Sequence, residues 1–105
     1  MNKPAFIHPT CVIDENVNIG VDTQIWLWTH VSKNVTIGTN CIIGQNVFIG
    51  ENVSIGNNVK IAAKTGIMKN IDDNEVIAGY PSEKIFDWHR NTIILKKLRQ
   101  NDKKK

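Results

Sequence analysis

Residues 37–61 read IGTNCI IGQNVF IGENVS IGNNVK I, four units of six residues followed by Ile61. Each unit opens with Ile-Gly, carries Asn at its fourth place and a small apolar residue, Cys or Val, at its fifth. An amphipathic helix repeats at about 3.6 residues and a lone half-buried strand at about 2, so a period of six fits neither. The fifth place lies two residues before the next first place, so both point to one face of a short strand. The residues between them must turn the chain. Short repeats of this kind are the signature of a parallel β-helix, in which each unit forms one side of a coil and the coils stack through ladder hydrogen bonds.

Carried outward, the frame holds without insertion. First places fall at Ile7, Ile13, Ile19, Ile25, Val31, Ile37, Ile43, Ile49, Ile55, Ile61 and Ile67, all Ile or Val. Fifth places run from Cys11 through Val17, Thr23, Thr29, Val35, Cys41, Val47, Val53, Val59 and Thr65 to Ile71, small or β-branched as a narrow interior requires. Asn stands at the fourth place at 16, 34, 40, 46, 52, 58 and 70, with Asp22 once. These residues tolerate left-handed backbone, so the pattern predicts one turn per side.

With three sides to a coil, residues 18 apart stack, and the outward second and sixth places sort by side. One side carries Asn18, Gly20, Thr36, Gly38, Ser54 and Gly56 and should face water. A second, the tryptophan side, carries Phe6, His8, Gln24, Trp26, Ile42, Gly44, Lys60 and Ala62. A third, the histidine side, carries Val12, Asp14, His30, Ser32, Phe48, Gly50, Gly66 and Met68. Bulky apolar groups on two sides, with Leu27-Trp28 at the corner between them, imply a buried contact surface and a threefold assembly around that corner.

A chain of 105 residues is a single small body for which oligomerisation adds stability. The expected division is a β-helix over residues 1–80 and a basic helix with a frayed tail over residues 81–105. Gly79, Tyr80, Pro81 and Ser82 break the sheet and start a helix, which has no further breaker from 83 to about 100, and Asn101 to Lys105 fray. Up to Pro81 five Lys face seven Asp and Glu, and after it eight Lys and Arg face three acids, so the net charge of +3 describes a tail. That distribution gives no support to nucleic-acid binding by the body. There is no apolar run long enough for a membrane span, and the N-terminus lacks the apolar core of a signal peptide, which implies a cytoplasmic chain. Cys11 and Cys41 read as small core residues. His8, His30 and His89 do not gather into a ligand set, so no metal is expected.

The uninterrupted hexads resemble the hexapeptide-repeat transferases. That resemblance implies an all-β fold, a left-handed parallel β-helix with a C-terminal α-helix, assembled as a homotrimer. The runs IWLWTHV (25–31) and GQNVFIGENVSIGNNVKI (44–61) resemble N-acetyltransferases that act on amino-sugar nucleotides in O-antigen synthesis. Residues 61–98 resemble the C-terminus of the lipid A enzyme that N-acylates UDP-3-O-acylglucosamine. Both resemblances imply transfer of an acyl group from a phosphopantetheine thioester, acetyl-CoA or an acyl carrier protein, to a sugar or sugar-nucleotide amine. The alternative is a shortened, catalytically silent trimeric scaffold.

His30 is the candidate general base, because an imidazole titrates near neutrality, and an interface residue with satisfied nitrogens is the other reading. Asn46, one coil above Trp28, could orient the acceptor or the thioester carbonyl, or serve only as a turn. Gly44, Ala62, Ala63 and Gly66 offer a flat groove for a pantetheine arm, with Lys64 and Lys69 near its phosphates. Arg90, Lys96, Lys97 and Arg99 could dock an acidic carrier protein, or form a solvated helix face.

Overall fold

The computed structural model describes residues 3–79 and 83–103. Eleven two-residue strands follow the hexad frame: β1 (Phe6–Ile7), β2 (Val12–Ile13), β3 (Asn18–Ile19), β4 (Gln24–Ile25), β5 (His30–Val31), β6 (Thr36–Ile37), β7 (Ile42–Ile43), β8 (Phe48–Ile49), β9 (Ser54–Ile55), β10 (Lys60–Ile61) and β11 (Gly66–Ile67). β12 (Val76–Ala78), β13 (Glu83–Lys84) and α1 (Ile85–Lys103) complete the described chain. Pairing is parallel and 18 residues apart, as in Gln24 with Ile42 and His30 with Phe48. The tryptophan side is β1-β4-β7-β10-β12-β13, the histidine side β2-β5-β8-β11, and the polar side β3-β6-β9. The result is a three-sided parallel β-helix of about four turns.

The first-place residues fill the prism because only one face of each short strand points inward. Ile25, Val31, Ile43, Ile49 and Ile67 are fully buried, with the fifth-place Val35, Cys41 and Val59 between them. Each such Ile or Val contributes about 2 kcal/mol of transfer free energy. Fifth-place hydroxyls also hydrogen-bond across coils: Thr23 Oγ1 donates to Gly38 O at 2.7 Å and Thr29 Oγ1 to Gly44 O at 2.8 Å. These buried polar groups are thereby satisfied, which a reading of Thr as merely small and β-branched misses.

Burial pushes the Cys41 thiol up from its ordinary range. In the unfolded chain this thiol ionises first, so its contribution is complete below the unfolded value of 9.0 and is lost as pH rises through the higher folded value. At pH 8, Cys41 should resist a maleimide in the native chain and react in denaturant, as read by mass spectrometry of the labelled peptide. Native-rate labelling would contradict this burial.

At two corners the Asn turns that the repeat predicts also link their side chains into ladders. Asn16 Nδ2 donates to Asn34 Oδ1 at 2.7 Å, and Asn34 Nδ2 to Asn52 Oδ1 at 3.1 Å. Asn40 Nδ2 donates to Asn58 Oδ1 at 2.7 Å, and Asn58 Nδ2 to Asn74 Oδ1 at 3.2 Å. Asn16, Asp22, Asn34, Asn40, Asn46, Asn52 and Asn58 all have φ between 56° and 62°. Asn70 departs from the expectation: it is absent from the left-handed turns, and its Oδ1 instead accepts from Ser54 N at 2.8 Å. The chain cuts this last corner two residues short, so Ile71, expected at a fifth place, bridges the first-place Ile55. The next left-handed turn, at Asn74, continues the Asn40–Asn58 corner.

The C-terminal segment also differs from expectation. Glu83–Lys84 pairs antiparallel with Ile77–Ala78, so the helix starts at Ile85. β12 is the terminal strand of its stack, and a hairpin satisfies its open edge before the helix begins. The helix continues to Lys103 because it meets no Gly or Pro. Thus Asn101–Lys103 are helical where fraying was expected. Of the expected break, Gly79 has φ of 94°, while Tyr80, Pro81 and Ser82, like Lys104–Lys105, lie outside the described residues. Among those described, no helix is long and apolar enough to cross a membrane.

Candidate active site

The third corner, between the tryptophan and histidine sides, breaks the ladder pattern. Its stacked fourth places are Thr10, Trp28, Asn46 and Lys64. Trp28 and Lys64 have φ of 64° and 63°, a left-handed backbone that Asn, Asp and Gly adopt readily and other residues do not. Trp28 is held by its N–H donating to Thr10 Oγ1 at 2.9 Å, and its side chain is 61% exposed. Strain retained at one corner, where Asn serves elsewhere, marks that corner as the place where side-chain chemistry outranks turn preference. Lys64→Asn should raise unfolding free energy by about 1 kcal/mol, read from a urea titration. No gain would mean that the left-handed turn at Lys64 carries no strain.

His30, on β5, stands outward beside this corner. Its Nε2 lies 2.9 Å from Asp14 Oδ2, with both side chains less than half exposed. A carboxylate only accepts, so Nε2 carries a proton, and in the neutral imidazole Nδ1 holds the lone pair. Phe48, in register above, meets the imidazole edge-on with ring centroids 5.5 Å apart and limits its rotation. An imidazole with one nitrogen anchored to a carboxylate and the other without a hydrogen bond among the described residues is arranged to accept a proton. Asp14 is the partner that sequence reasoning missed. Its signal was present, since Asp14 and His30 are outward residues of one side separated by 16, one coil less two residues, which makes them diagonal neighbours.

Other candidate residues divide by corner. Asn46 is exposed with φ of 56°, and its backbone N–H donates to Leu27 O at 2.9 Å. Gly44 and Ala62 stack on successive coils, with Ala63 and Lys64 exposed beside them and Gly66 buried. Lys69 sits at the next corner round, lining a cavity with Asp72, Glu75, Lys84 and Asp87. It is not brought together with the others, and it shares that cavity with three carboxylates. His8 lies on the tryptophan side, with Nδ1 2.9 Å from Thr10 Oγ1. Among the described residues no group of three His, Cys, Asp or Glu is placed to share a metal ion. Along α1 (Ile85–Lys103), Phe86, Ile93, Ile94, Leu95 and Leu98 are exposed, and Arg90 lies 5.3 Å over the Phe86 ring.

A model of the bacterial transferase hexapeptide, six repeats long, matches residues 34–69. UDP-3-O-acylglucosamine N-acyltransferase of Rickettsia akari (strain Hartford) is 45% identical over 86 residues, 82% of this chain and 25% of that protein. The chain therefore spans about a quarter of the length of the curated relative it matches. A hexapeptide-repeat containing acetyltransferase of Vibrio cholerae O1 biovar eltor, solved with acetyl coenzyme A, shares the fold with a TM-score of 0.60 and 16% identity, over 80% of this chain and 68% of that one. The acetyltransferase domain of PglB from Neisseria gonorrhoeae FA1090, also in complex with acetyl coenzyme A, aligns over 80% of this chain and 58% of its own at 17% identity and a TM-score of 0.44.

Proposed function

From the match of residues 34–69 to the bacterial transferase hexapeptide and the likeness to an N-acyltransferase over 82% of the chain, we propose that this chain transfers an acetyl or longer acyl group from a phosphopantetheine thioester to the amine of an amino sugar or sugar nucleotide, at the subunit interfaces of a homotrimer. The observation that carries the reading is the Asp14–His30 pair, with Nδ1 left as a base on a side that a trimer would turn toward its neighbour. His30 Nδ1 takes the proton from the attacking amine as the N–C bond forms at the thioester carbonyl. The C–S bond then breaks, and the proton passes to the departing thiolate. Asp14 holds the imidazole orientation and stabilises the imidazolium.

The donor is acetyl-CoA or an acyl carrier protein. Its pantetheine arm would lie along Gly44, Ala62 and Ala63, where small residues keep the surface flat, with the Lys64 ammonium toward the phosphates. Asn46, between Trp28 and Lys64 in the corner stack, is within the same strip and suited to hydrogen-bond the thioester carbonyl or the acceptor. Support for the trimer comes from the apolar groups left on two sides: Phe6, Trp26, Ile42 and Val76 on one, Val12 and Met68 on the other, with Trp28 between them. Three copies closing around Trp28 would cover both sides and bring His30 of one copy toward the tryptophan side of the next.

Acetyl-CoA at millimolar concentration should raise the melting temperature, and light scattering should give three times the 11.8 kDa chain mass. Failure of every thioester donor to bind would favour the silent scaffold. A monomeric mass at micromolar concentration would overturn the interface assignment.

A further inference from the structure

The two ends of the prism are finished differently. At the α1 end every side of the last coil is covered: Ile71 bridges Ile55 on the polar side, β12 (Val76–Ala78) lies on β10 (Lys60–Ile61), and Gly66 N donates to Gly79 O at 3.1 Å on the histidine side. The first-place residues beneath, Ile55, Ile61 and Ile67, are buried. At the other end β1 (Phe6–Ile7), β2 (Val12–Ile13) and β3 (Asn18–Ile19) are the outermost strands of their three sheets. Lys3 covers one corner there, its carbonyl accepting from Asp22 N at 2.7 Å. Each of the three strands keeps one side without a ladder partner among the described residues.

Burial at equivalent repeat places follows the same division. Ile7 is 38% exposed, whereas Ile25 and Ile43, stacked above it, are fully buried. Cys11, Ile13, Val17 and Ile19 are half-buried, whereas Thr29, Val31, Val35 and Ile37 one coil up are buried. These side chains point inward, so three copies closing around Trp28 would leave them as open as they are in one copy. The acids of this coil, Asp14, Glu15 and Asp22, stand at outward or corner places, off the open section. An apolar interior cut across its section and rimmed by unpaired backbone groups is a surface that requires a cover.

We propose that the cover is the same end of a second copy, so that two trimers meet through their β1–β3 ends. The α1 end is already covered, so an open end can stack only on another open end, which makes the contact twofold and self-limiting. Rims that face each other across a twofold axis wind in opposite senses, so their strands meet antiparallel and each offers both N–H and C=O groups to the other. The area also fits. The molecule measures 25 × 22 Å across its long axis, so one triangular section is about 300 Å², too little for a stable contact, while three side by side reach about 800–900 Å², one partner's share of a standard interface. The proposal therefore rests on the homotrimer reading. At that minimal size the end contact forms at higher concentration than the trimer itself.

Sedimentation of the full chain from about 1 μM to about 1 mM should show the mass rise from three to six times 11.8 kDa and stop there. Ile7→Lys and Val17→Lys, which set ammonium groups against those of the facing copy, should hold it at three chains throughout. In the unsubstituted chain, amide exchange at Ile13 and Ile19 should slow at least about tenfold over the same range, with Val31 and Ile37 one coil up unchanged. That measurement stands even if a lysine disrupts the coil. A mass of three chains at every concentration, a mass that climbs past six, or six chains kept by both folded variants overturns the proposal and leaves the trimer reading intact. A mass of two chains that Ile7→Lys reduces to one leaves the end contact standing and removes the trimer.

Discussion

Replacing His30 with alanine should lower the rate of acyl transfer about 10²- to 10⁴-fold, the usual range for loss of a general base. The fold should be unaffected, because β5 (His30–Val31) is held by its backbone, with His30 N donating to Val47 O at 2.9 Å. The loss should fall on kcat with little change in KM for the thioester, since the imidazole acts on the attacking amine and the donor groove lies on the Gly44–Ala63 strip. Asp14→Asn should give a smaller loss. An amide can still meet Nε2 but offers no charge to the imidazolium and allows the other tautomer. Rates within twofold of the parent for both variants would remove the pair from the mechanism.

Gly38→Val should cost roughly 3 kcal/mol or more of stability, the upper range for overpacking a close contact. A Cβ at Gly38 would stand 2.6 Å from Gly56 O, inside contact distance of a backbone atom that the ladder holds in place. The next coil could move away only by lengthening hydrogen bonds such as Gly38 N to Ile55 O, now 2.9 Å. Gly50→Ala makes the control, because its Cβ would lie 3.3 Å from Ile67 O and 3.5 Å from the end of the flexible Met68 side chain, and its cost should be small. In a urea titration the Gly38 variant should lower the midpoint with an unchanged slope. A midpoint equal to that of the parent would mean that the coils are not held at this spacing.

Much of the prism is legible in the hexads. Ile and Val at every first place leave no other face to bury, and Asn at the fourth place names the turn conformation in advance. The site is legible only in part. His30 stands out as a polar residue among apolar contact positions, but its meaning depends on Asp14, which is paired with it through the offset between two stacked coils. Lys69 looked equivalent to Lys64 as a cation near Gly and Ala, yet the two belong to different corners. Asn70 matched the repeat and still left it, because the chain shortens the last coil by two residues and sets Ile71 against Ile55.

The sequence by itself determined the repeat, the three-sided section, the interior residues and the two apolar sides, since each follows from local periodicity applied to a chain that must bury one face of every strand. The tertiary structure decided the Asp14–His30 contact, the left-handed backbone at Trp28 and Lys64, and the hairpin that precedes α1. Those depend on which atoms of neighbouring coils come into contact, and that is set by stacking register, corner length and side-chain direction, to which a six-residue period is blind.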